Sequence, residues 1–373
     1  MKRPRVLHLI HHLHFGGAER LLGDLLPCLA AQGVDAQVAC LNDRGPLFDE
    51  LSRRGIPAHF IGRRPGLDLA AFWRLRGLLR EQRIDVLNTH GLSAALWGRL
   101  AAAAARTPCV VVTVHSVAGW IQPRKQYLLS RLLQPLTDRF VAVSESVRRS
   151  LITKESVRPE SIRVIHNGLR SDRACRSTNL AEDRRRLGLE GAGFLVGMVG
   201  RCNPEKGGST WVRSIADLAR ANADVRGVLI GDGPERAAWQ RLAREERVAD
   251  RILFAGARSD VAPWLAVLDV LVCPSEQESF GLAALEAQAA GVPVVATRVE
   301  GFLEILHDGE DALLAPSGDA EALAARVAAL RGSPDLVRRL VAAGARNAAR
   351  FPIERTAERY AALYRELLAE PPR

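Results

Sequence analysis

The sequence predicts an α/β protein made of two doubly wound, parallel-sheet, Rossmann-like domains. Three observations predict it. Short apolar runs alternate with amphipathic stretches of helical length along most of the 373 residues. The alternation is interrupted once, by the polar stretch 170–192, and then restarts. The chain is also longer than one ordinary domain. We therefore expect an N-terminal domain over 1–172 and a second domain over 173–352. A C-terminal helix in 353–373 should pack back toward the first domain.

In the first half the strands read RVLHLI, DAQVACL, AHFIG, DVLNTH, CVVVTVH, RFVAVS and IRVIHN. Runs this apolar suit strands covered on both faces. Helical segments such as AERLLGDLLPCLAAQG and GLSAALWGRLAAAAAR lie between them. The stretch RSDRACRSTNLAEDRRRLGLEGA reads as a linker with a short helix. Strands then resume as FLVGMVG, VRGVLIG, RILFAG, VLDVLVCP and VPVVAT, and the chain ends in helices, the last over about 353–369. Two such domains leave a crevice, and doubly wound sheets bind ligands at the carboxyl ends of their strands.

Composition narrows the function classes. Hydrophobic residues make up 47% and charged residues 25%, ordinary for a globular protein. No apolar run reaches 18 residues, so no membrane-spanning helix is expected. The start, MKRPRVLHLIHHLHFGG, is too short and too polar in its apolar part for a signal peptide. Six scattered cysteines without a CxxC pair read as thiols in a reducing compartment, so a cytoplasmic location is expected. Residues 1–172 hold 25 Lys+Arg against 14 Asp+Glu, and the remainder holds 27 against 28. The basic half suits an anionic membrane surface or a polyanionic acceptor; a general arginine bias explains it as well. Nucleic acid is not an expected partner, because no reading module is present and aromatics are only 5%.

The candidate site residues fall at strand ends. Glu278 and Glu286 lie in PSEQESFGLAALEAQAAGVPVVAT, which passes from a strand through a polar loop into an Ala-rich helix. Glu278 should precede the helix N-terminus, and Glu286 should sit about two turns further in. Phe280-Gly281 between them lets backbone N–H groups point out of the helix start, where an anion binds. Carboxylates flanking an anion site suit a ligand that combines phosphate with many hydroxyls, such as a nucleotide sugar. In GMVGRCNPEKGG, Arg201 and Lys206 stand before a helix and could clamp a diphosphate; a solvated basic loop is the plainer reading. Gly16 and Gly17 allow close backbone approach at another helix start, or simply make a tight turn. LIGDGPER lacks the third glycine of a dinucleotide fingerprint. His8, His11, His12 and His14 have no carboxylate spaced to complete a metal set, so none is expected. His90 and His115 each end a strand. His90 reads first as a structural hydrogen-bonder, and His115 as the functional candidate. Asn167-Gly168 reads as a turn and hinge. The segment 120–136, with Trp120, Arg124, Lys125, Tyr127 and Arg131 among leucines, reads as an interfacial stretch or as an ordinary surface helix.

Together these blocks resemble the GT-B-fold retaining glycosyltransferases of the family-4 type. The resemblance rests on FGGAER, TVH, VAVSES, VIHNG, GRCNPEKG, LIGDGPE, FAGARSDV and ESFGLAALEAQAAGVPVVAT, in that order. It implies that Arg201 and Lys206 hold the donor diphosphate, and that Glu286 accepts hydrogen bonds from the ribose. Glu278 would contact hydroxyls of the transferred sugar. Ser279 and the backbone N–H groups of Phe280, Gly281, Leu282 and Ala283 would line the phosphate site. Gly16 and Gly17 would close over the donor, and His115 would sit beside the sugar. The resemblance implies no cofactor and no metal. It implies a saccharide or lipid-linked acceptor, as in bacterial cell-surface polysaccharide or glycolipid synthesis, with peripheral contact to an anionic inner membrane face. Retention would follow if the acceptor attacks from the face that the diphosphate leaves, with the departing phosphate taking the acceptor proton. A non-hydrolysing nucleotide-sugar epimerase would need further acid/base carboxylates, which we do not find. A non-catalytic nucleotide-sugar-binding protein fits poorly with the complete Arg201/Lys206/Glu278/Glu286 set.

Overall fold

The computed structural model describes residues 3–14, 16–117, 124–170, 177, 179–191, 193–222 and 224–370. The chain divides into two compact units, one formed by Met1–Gly168 with Ile353–Arg373 and the other by Leu169–Pro352.

The first unit is a parallel sheet of seven strands: β1 (Arg5–His12), β2 (Asp35–Asp43), β3 (Ala58–Phe60), β4 (Val86–His90), β5 (Cys109–Val114), β6 (Arg139–Ala142) and β7 (Ile162–Val164). Their order is β3-β2-β1-β4-β5-β6-β7. Its helices are α1 (Gly17–Ala31), α2 (Pro46–Arg53), α3 (Leu69–Glu81), α4 (Leu92–Ala105), α5 (Arg124–Leu132) and α6 (Glu145–Glu155). The central strands are mainly apolar because both faces are covered, with polar residues such as His8, Asn88, His90 and Thr113 buried among them. Val6 and Ile10 of β1 enter a core with Leu22 and Leu25 of α1. Leu7 and Leu9, facing the other way, pack with Leu75 and Leu79 of α3 and Ala101 of α4.

The second unit has six parallel strands in the order β10-β9-β8-β11-β12-β13. They are β8 (Phe194–Val199), β9 (Val225–Ile230), β10 (Ile252–Gly256), β11 (Val270–Cys273), β12 (Val294–Thr297) and β13 (Leu313–Ala315). Its helices are α7 (Leu180–Arg186), α8 (Gly208–Ala221), α9 (Arg236–Glu245), α10 (Ala262–Leu265), α11 (Leu282–Ala289), α12 (Glu300–Leu303), α13 (Ala320–Arg331) and α14 (Pro334–Ala348). Strand β13, which follows the DGEDA turn, was not expected.

The last helix, α15 (Ile353–Ala369), belongs to the first unit. Ile353, Ala357, Tyr360, Ala361, Tyr364 and Leu367 recur at helical spacing and enter the core of α1 and β1. The two chain passages between the units run side by side: Leu169 N–H donates to Phe351 O at 2.8 Å. Gly168 lies so close to Ile353 that a Cβ there would meet Ile353 Cα at 2.6 Å. The stretch read as a linker is corrected in part. Within it, α7 is docked on the second unit, because Arg184 donates to Val267 O and pairs with Asp269 at 2.8 Å. Residues 171–176, 178 and 192 of that stretch lie outside the described residues.

In each sheet the strand order reverses once, between β1 and β4 and between β8 and β11. The helices that follow these four strands, α1, α4, α8 and α11, begin at Gly16, Gly91, Gly207 and Gly281 without a side-chain cap. Side chains cap other helices, Asp68 on α3, Ser144 on α6, Asn179 on α7, Asp319 on α13 and Ser333 on α14, while α2, α9, α10 and α12 also start without one. All four helix starts at the switch points are thus open, where such sheets bind ligands.

Candidate functional site

In the second unit, glycines allow the strand-end loops to touch. Gly231, after β9, approaches the loop after β8 so closely that a Cβ would lie 1.8 Å from Gly200 O. Cys202 N–H donates to Asp232 O, and Glu235 N–H donates to Cys202 O, both at 2.9 Å. The GDGP turn thus braces the loop that carries Arg201 and Lys206. Gly207, at φ 67°, presses the same loop onto the one after β11, where a Cβ would stand 2.0 Å from Pro274 O. Glu276 N–H donates to Glu205 O at 2.9 Å and completes that junction.

These contacts bring Lys206 to Glu278 across 72 residues of sequence, with Nζ to Oε2 at 2.7 Å. Burial pushes both groups toward their neutral forms. Their mutual charge and hydrogen bond outweigh it, so the Lys206 pKa stands above its ordinary value and that of Glu278 below its own. The Glu278 carboxylate also accepts the N–H groups of Ser279, at 3.0 Å, and Phe280. Phe280 is buried edge-on against Phe351. Gly281, at φ 96°, has Phe302 where a Cβ would be, which leaves glycine as the residue that fits. The N–H groups of Leu282 and Ala283 meet no acceptor among the described residues and form the open end of α11. Glu286 is half-buried in the second turn of α11, one turn beyond the helix start. Arg201 is exposed just past the end of β8.

Nearby thiols are no nucleophiles. Burial pushes Cys202 and Cys273 up to about 12, which keeps them protonated at neutral pH.

In the first unit, Gly16 and Gly17 form the start of α1. The Glu19 carboxylate stands over Gly16, where a Cβ would meet its Oε2 at 2.3 Å, while Gly17 is open and exposed. His12 lies 3.4 Å from Glu19, and His14 bonds Asp43 at 2.6 Å. His115 follows β5 and is hydrogen-bonded to His90, Nε2 to Nδ1, at 2.8 Å. Burial pulls the His115 pKa down to about 4, so its ring is neutral at neutral pH. His90 is a buried hydrogen-bonder between His8 and His115. Among the described residues no group of three or more His, Cys, Asp or Glu side chains is arranged to hold a metal ion. No described helix is long and apolar enough to cross a membrane.

The structure thus groups Lys206, Glu278, Ser279, Phe280, Gly281, Leu282 and Ala283 around one helix start. Sequence reasoning missed the pairing of Lys206 with Glu278, and it missed Asn88, Thr113, Tyr360 and Tyr364 behind the histidines. Their signal is weak: polar residues alternating inside otherwise apolar strands and a helix.

Two family models match the chain. One described as Glycosyltransferase Family 4 matches residues 15–173, and one described as Glycosyl transferases group 1 matches residues 193–332. A D-inositol 3-phosphate glycosyltransferase of Thermobispora bispora is 30% identical over 345 residues, covering 87% of this chain and 79% of that protein. A UDP-Gal:alpha-D-GlcNAc-diphosphoundecaprenol alpha-1,3-galactosyltransferase of Escherichia coli is 28% identical over 318 residues, covering 82% of each. Among solved structures, Anabaena Alr3699/HepE in complex with UDP-glucose superposes with a TM-score of 0.88 at 22% identity. That match covers 97% of this chain and 99% of the other and extends the likeness to the GT-B fold.

Proposed function

The chain belongs to glycosyltransferase family 4, and we propose that it transfers a hexosyl or N-acetylhexosaminyl group, with retention, from a nucleotide-diphosphate sugar to a saccharide or lipid-linked acceptor. The observation that carries this reading is the Lys206–Glu278 pair held at the open start of α11. Departure of the nucleoside diphosphate builds negative charge on phosphate. Lys206, Arg201 and the N–H groups of Leu282 and Ala283 answer that charge from fixed positions. Glu278, kept ionised by Lys206, accepts hydrogen bonds from hydroxyls of the sugar, and Glu286 accepts them from the ribose. His115 is neutral and therefore contributes a hydrogen bond beside the sugar rather than a charge. Gly17 at the start of α1 is open, while the Glu19 carboxylate stands over Gly16. As the sugar–phosphate bond breaks, the acceptor oxygen bonds to the anomeric carbon from the same face. Its proton passes to the leaving phosphate. No metal and no cofactor enters this scheme.

A UDP-sugar is the first donor to test, because the Escherichia coli relative is named for UDP-Gal and the Anabaena structure holds UDP-glucose. Incubation with UDP-hexoses and lipid or saccharide acceptors, followed by NMR of the product anomer, checks the reading. An axial donor linkage should remain axial. Inversion, or transfer that depends on added divalent metal, would overturn the retaining, metal-free scheme.

A membrane surface at the cytoplasmic face is the proposed place of action. The leucines of α5 that could have faced the core instead face water: Leu128, Leu129 and Leu132 are exposed. Leu67, Leu69 and Trp73 are exposed at α3, Leu100 is exposed on α4, and α4 packs against both α3 and α5. Arg64, Arg74 and Arg80 are exposed on the α3 side. Trp120 of the segment 120–136 and the side chains of Arg124, Lys125 and Tyr127 lie outside the described residues. Vesicle co-sedimentation should show binding that rises with anionic lipid and falls with salt. Equal binding to neutral and anionic vesicles, or none to either, would argue for a soluble acceptor.

A further inference from the structure

Behind His115 the first unit contains a line of buried hydrogen bonds. In the parallel register His8 of β1 stands beside Asn88 of β4, Ile10 beside His90, and His90 beside Thr113 of β5. These polar side chains all sit on the sheet face that α15 covers, and each is at most 2% exposed. Thr113 Oγ1 donates to Asn88 Oδ1 at 2.8 Å, and Asn88 Nδ2 donates to the Tyr364 hydroxyl at 2.8 Å. The Tyr364 hydroxyl reaches His8 Nε2 at 3.4 Å. His8 Nδ1 reaches His90 Nε2 at 3.0 Å, and His90 Nδ1 reaches His115 Nε2 at 2.8 Å.

Burial holds the three rings neutral at physiological pH, with His8 pulled down to about 3, His115 to about 4, and His90 well below its ordinary value. A neutral imidazole carries one N–H, so each ring in the line must donate to one neighbour and accept from the other. The line therefore has two self-consistent states. In one, all three protons are on Nδ1; in the other, all three are on Nε2. The Asn88 amide selects between them. Its Nδ2 can only donate to the Tyr364 oxygen, so of that hydroxyl's two partners His8 Nε2 is the one able to accept the Tyr364 proton. His8 must then donate from Nδ1, and His90 likewise.

We infer that Asn88 and Tyr364 are positioning residues that fix His115 as the Nδ1–H tautomer, acting through the His8–His90 imidazole line. His115 then offers a hydrogen-bond donor at Nδ1, which suits an oxygen of the bound sugar. The bearing on catalysis rests on the reading of His115 as a donor-sugar contact; the tautomer does not.

The test is long-range proton–nitrogen NMR of the histidine-labelled full chain at neutral pH without nucleotide. The expected spectrum has His8, His90 and His115 each protonated at Nδ1. This is opposite to the form a histidine side chain favours in water. Protonation of His115 at Nε2 overturns the proposal. Tyr364→Phe should release the line and give His115 a mixture of tautomers. An unchanged His115 in a folded Tyr364→Phe protein removes Tyr364 from control. Should that variant fail to fold, the wild-type spectrum still decides. If the Nδ1 form is found while His115→Ala transfers sugar at the wild-type rate, the tautomer control stands and the donor-contact reading falls.

Discussion

At the switch point of the second sheet the candidate side chains are charged and answer one another; at that of the first they are imidazoles held in the neutral form. Lys206 and Glu278 are partly buried, yet each stays ionised because the other is 2.7 Å away. His8 and His90 are buried and His115 partly so, and desolvation holds all three rings in the neutral form with one N–H each. The sheets follow the same winding rule. The difference lies in what the neighbouring loops bring. Glycines at 207 and 231 draw charged loops together in the second unit, whereas α15 seals the first with tyrosines. On the proposed reading, one scaffold serves developing charge and the other neutral hydrogen bonding.

The largest effect that could break this contrast is at the ion pair. Lys206→Ala removes a cation from the leaving diphosphate and leaves Glu278 without its counter-charge. The expected loss of transition-state stabilisation is about 2–4 kcal/mol, roughly 30- to 1,000-fold in kcat/KM. Arg201→Ala should fall in the same direction. His115→Ala removes a neutral hydrogen bond of about 1 kcal/mol, so its rate should fall by several-fold only. Steady-state kinetics on the three variants gives the ranking. A His115 effect larger than that of Lys206 would reverse the division of labour between the units.

Gly207→Ala sharpens the comparison from the scaffold side. The substitution forces a left-handed backbone position and a Cβ 2.0 Å from Pro274 O. Strain of this kind costs on the order of 1–3 kcal/mol. Denaturant midpoints followed separately for each unit by hydrogen exchange should show the loss in the second unit. A wild-type midpoint there would mean that the two loops separate freely.

The smallest effect is the pH dependence. The histidine pKa values are lowered on folding, so between about pH 6.5 and 4 the unfolded chain binds more protons than the folded one. This part of the stability is present above pH 6.5 and declines as pH falls toward 4. The Glu278 pKa is also lowered, but from the carboxylate range, so its contribution is lost only below about pH 4.5. Acid titration followed by hydrogen exchange should therefore weaken the core around β1, β4 and β5 before the β8–β11 junction. Simultaneous weakening from pH 6.5 in both units would contradict the assigned charge states.

Much of the fold was legible in the sequence, and for a physical reason. Strands covered on both faces are mainly apolar, so β1 to β12 stand out as runs such as VLHLI and VVVTV. The three-residue β13 was missed, although β3 and β7 are no longer than it. Arg201, Lys206, Glu278 and Glu286 were legible as residue types at strand ends. The Lys206–Glu278 contact was not, because it depends on glycines whose close approach joins three loops. The linker reading failed at Arg184, whose partners at 267 and 269 are remote in sequence. His8 read as a histidine inside a strand; only strand order and register reveal that it stands beside Asn88.

The central claim is that Arg201, Lys206 and the open start of α11 bind the diphosphate of a nucleotide sugar. Thermal unfolding of the wild-type chain with UDP, GDP, ADP and their sugar conjugates tests it most directly, since a ligand bound only by the folded state raises the transition by mass action. One nucleotide series should raise the midpoint, and the Arg201→Ala/Lys206→Ala double variant should lose most of that rise. No rise with any nucleotide, or an equal rise in the double variant, would contradict the claim.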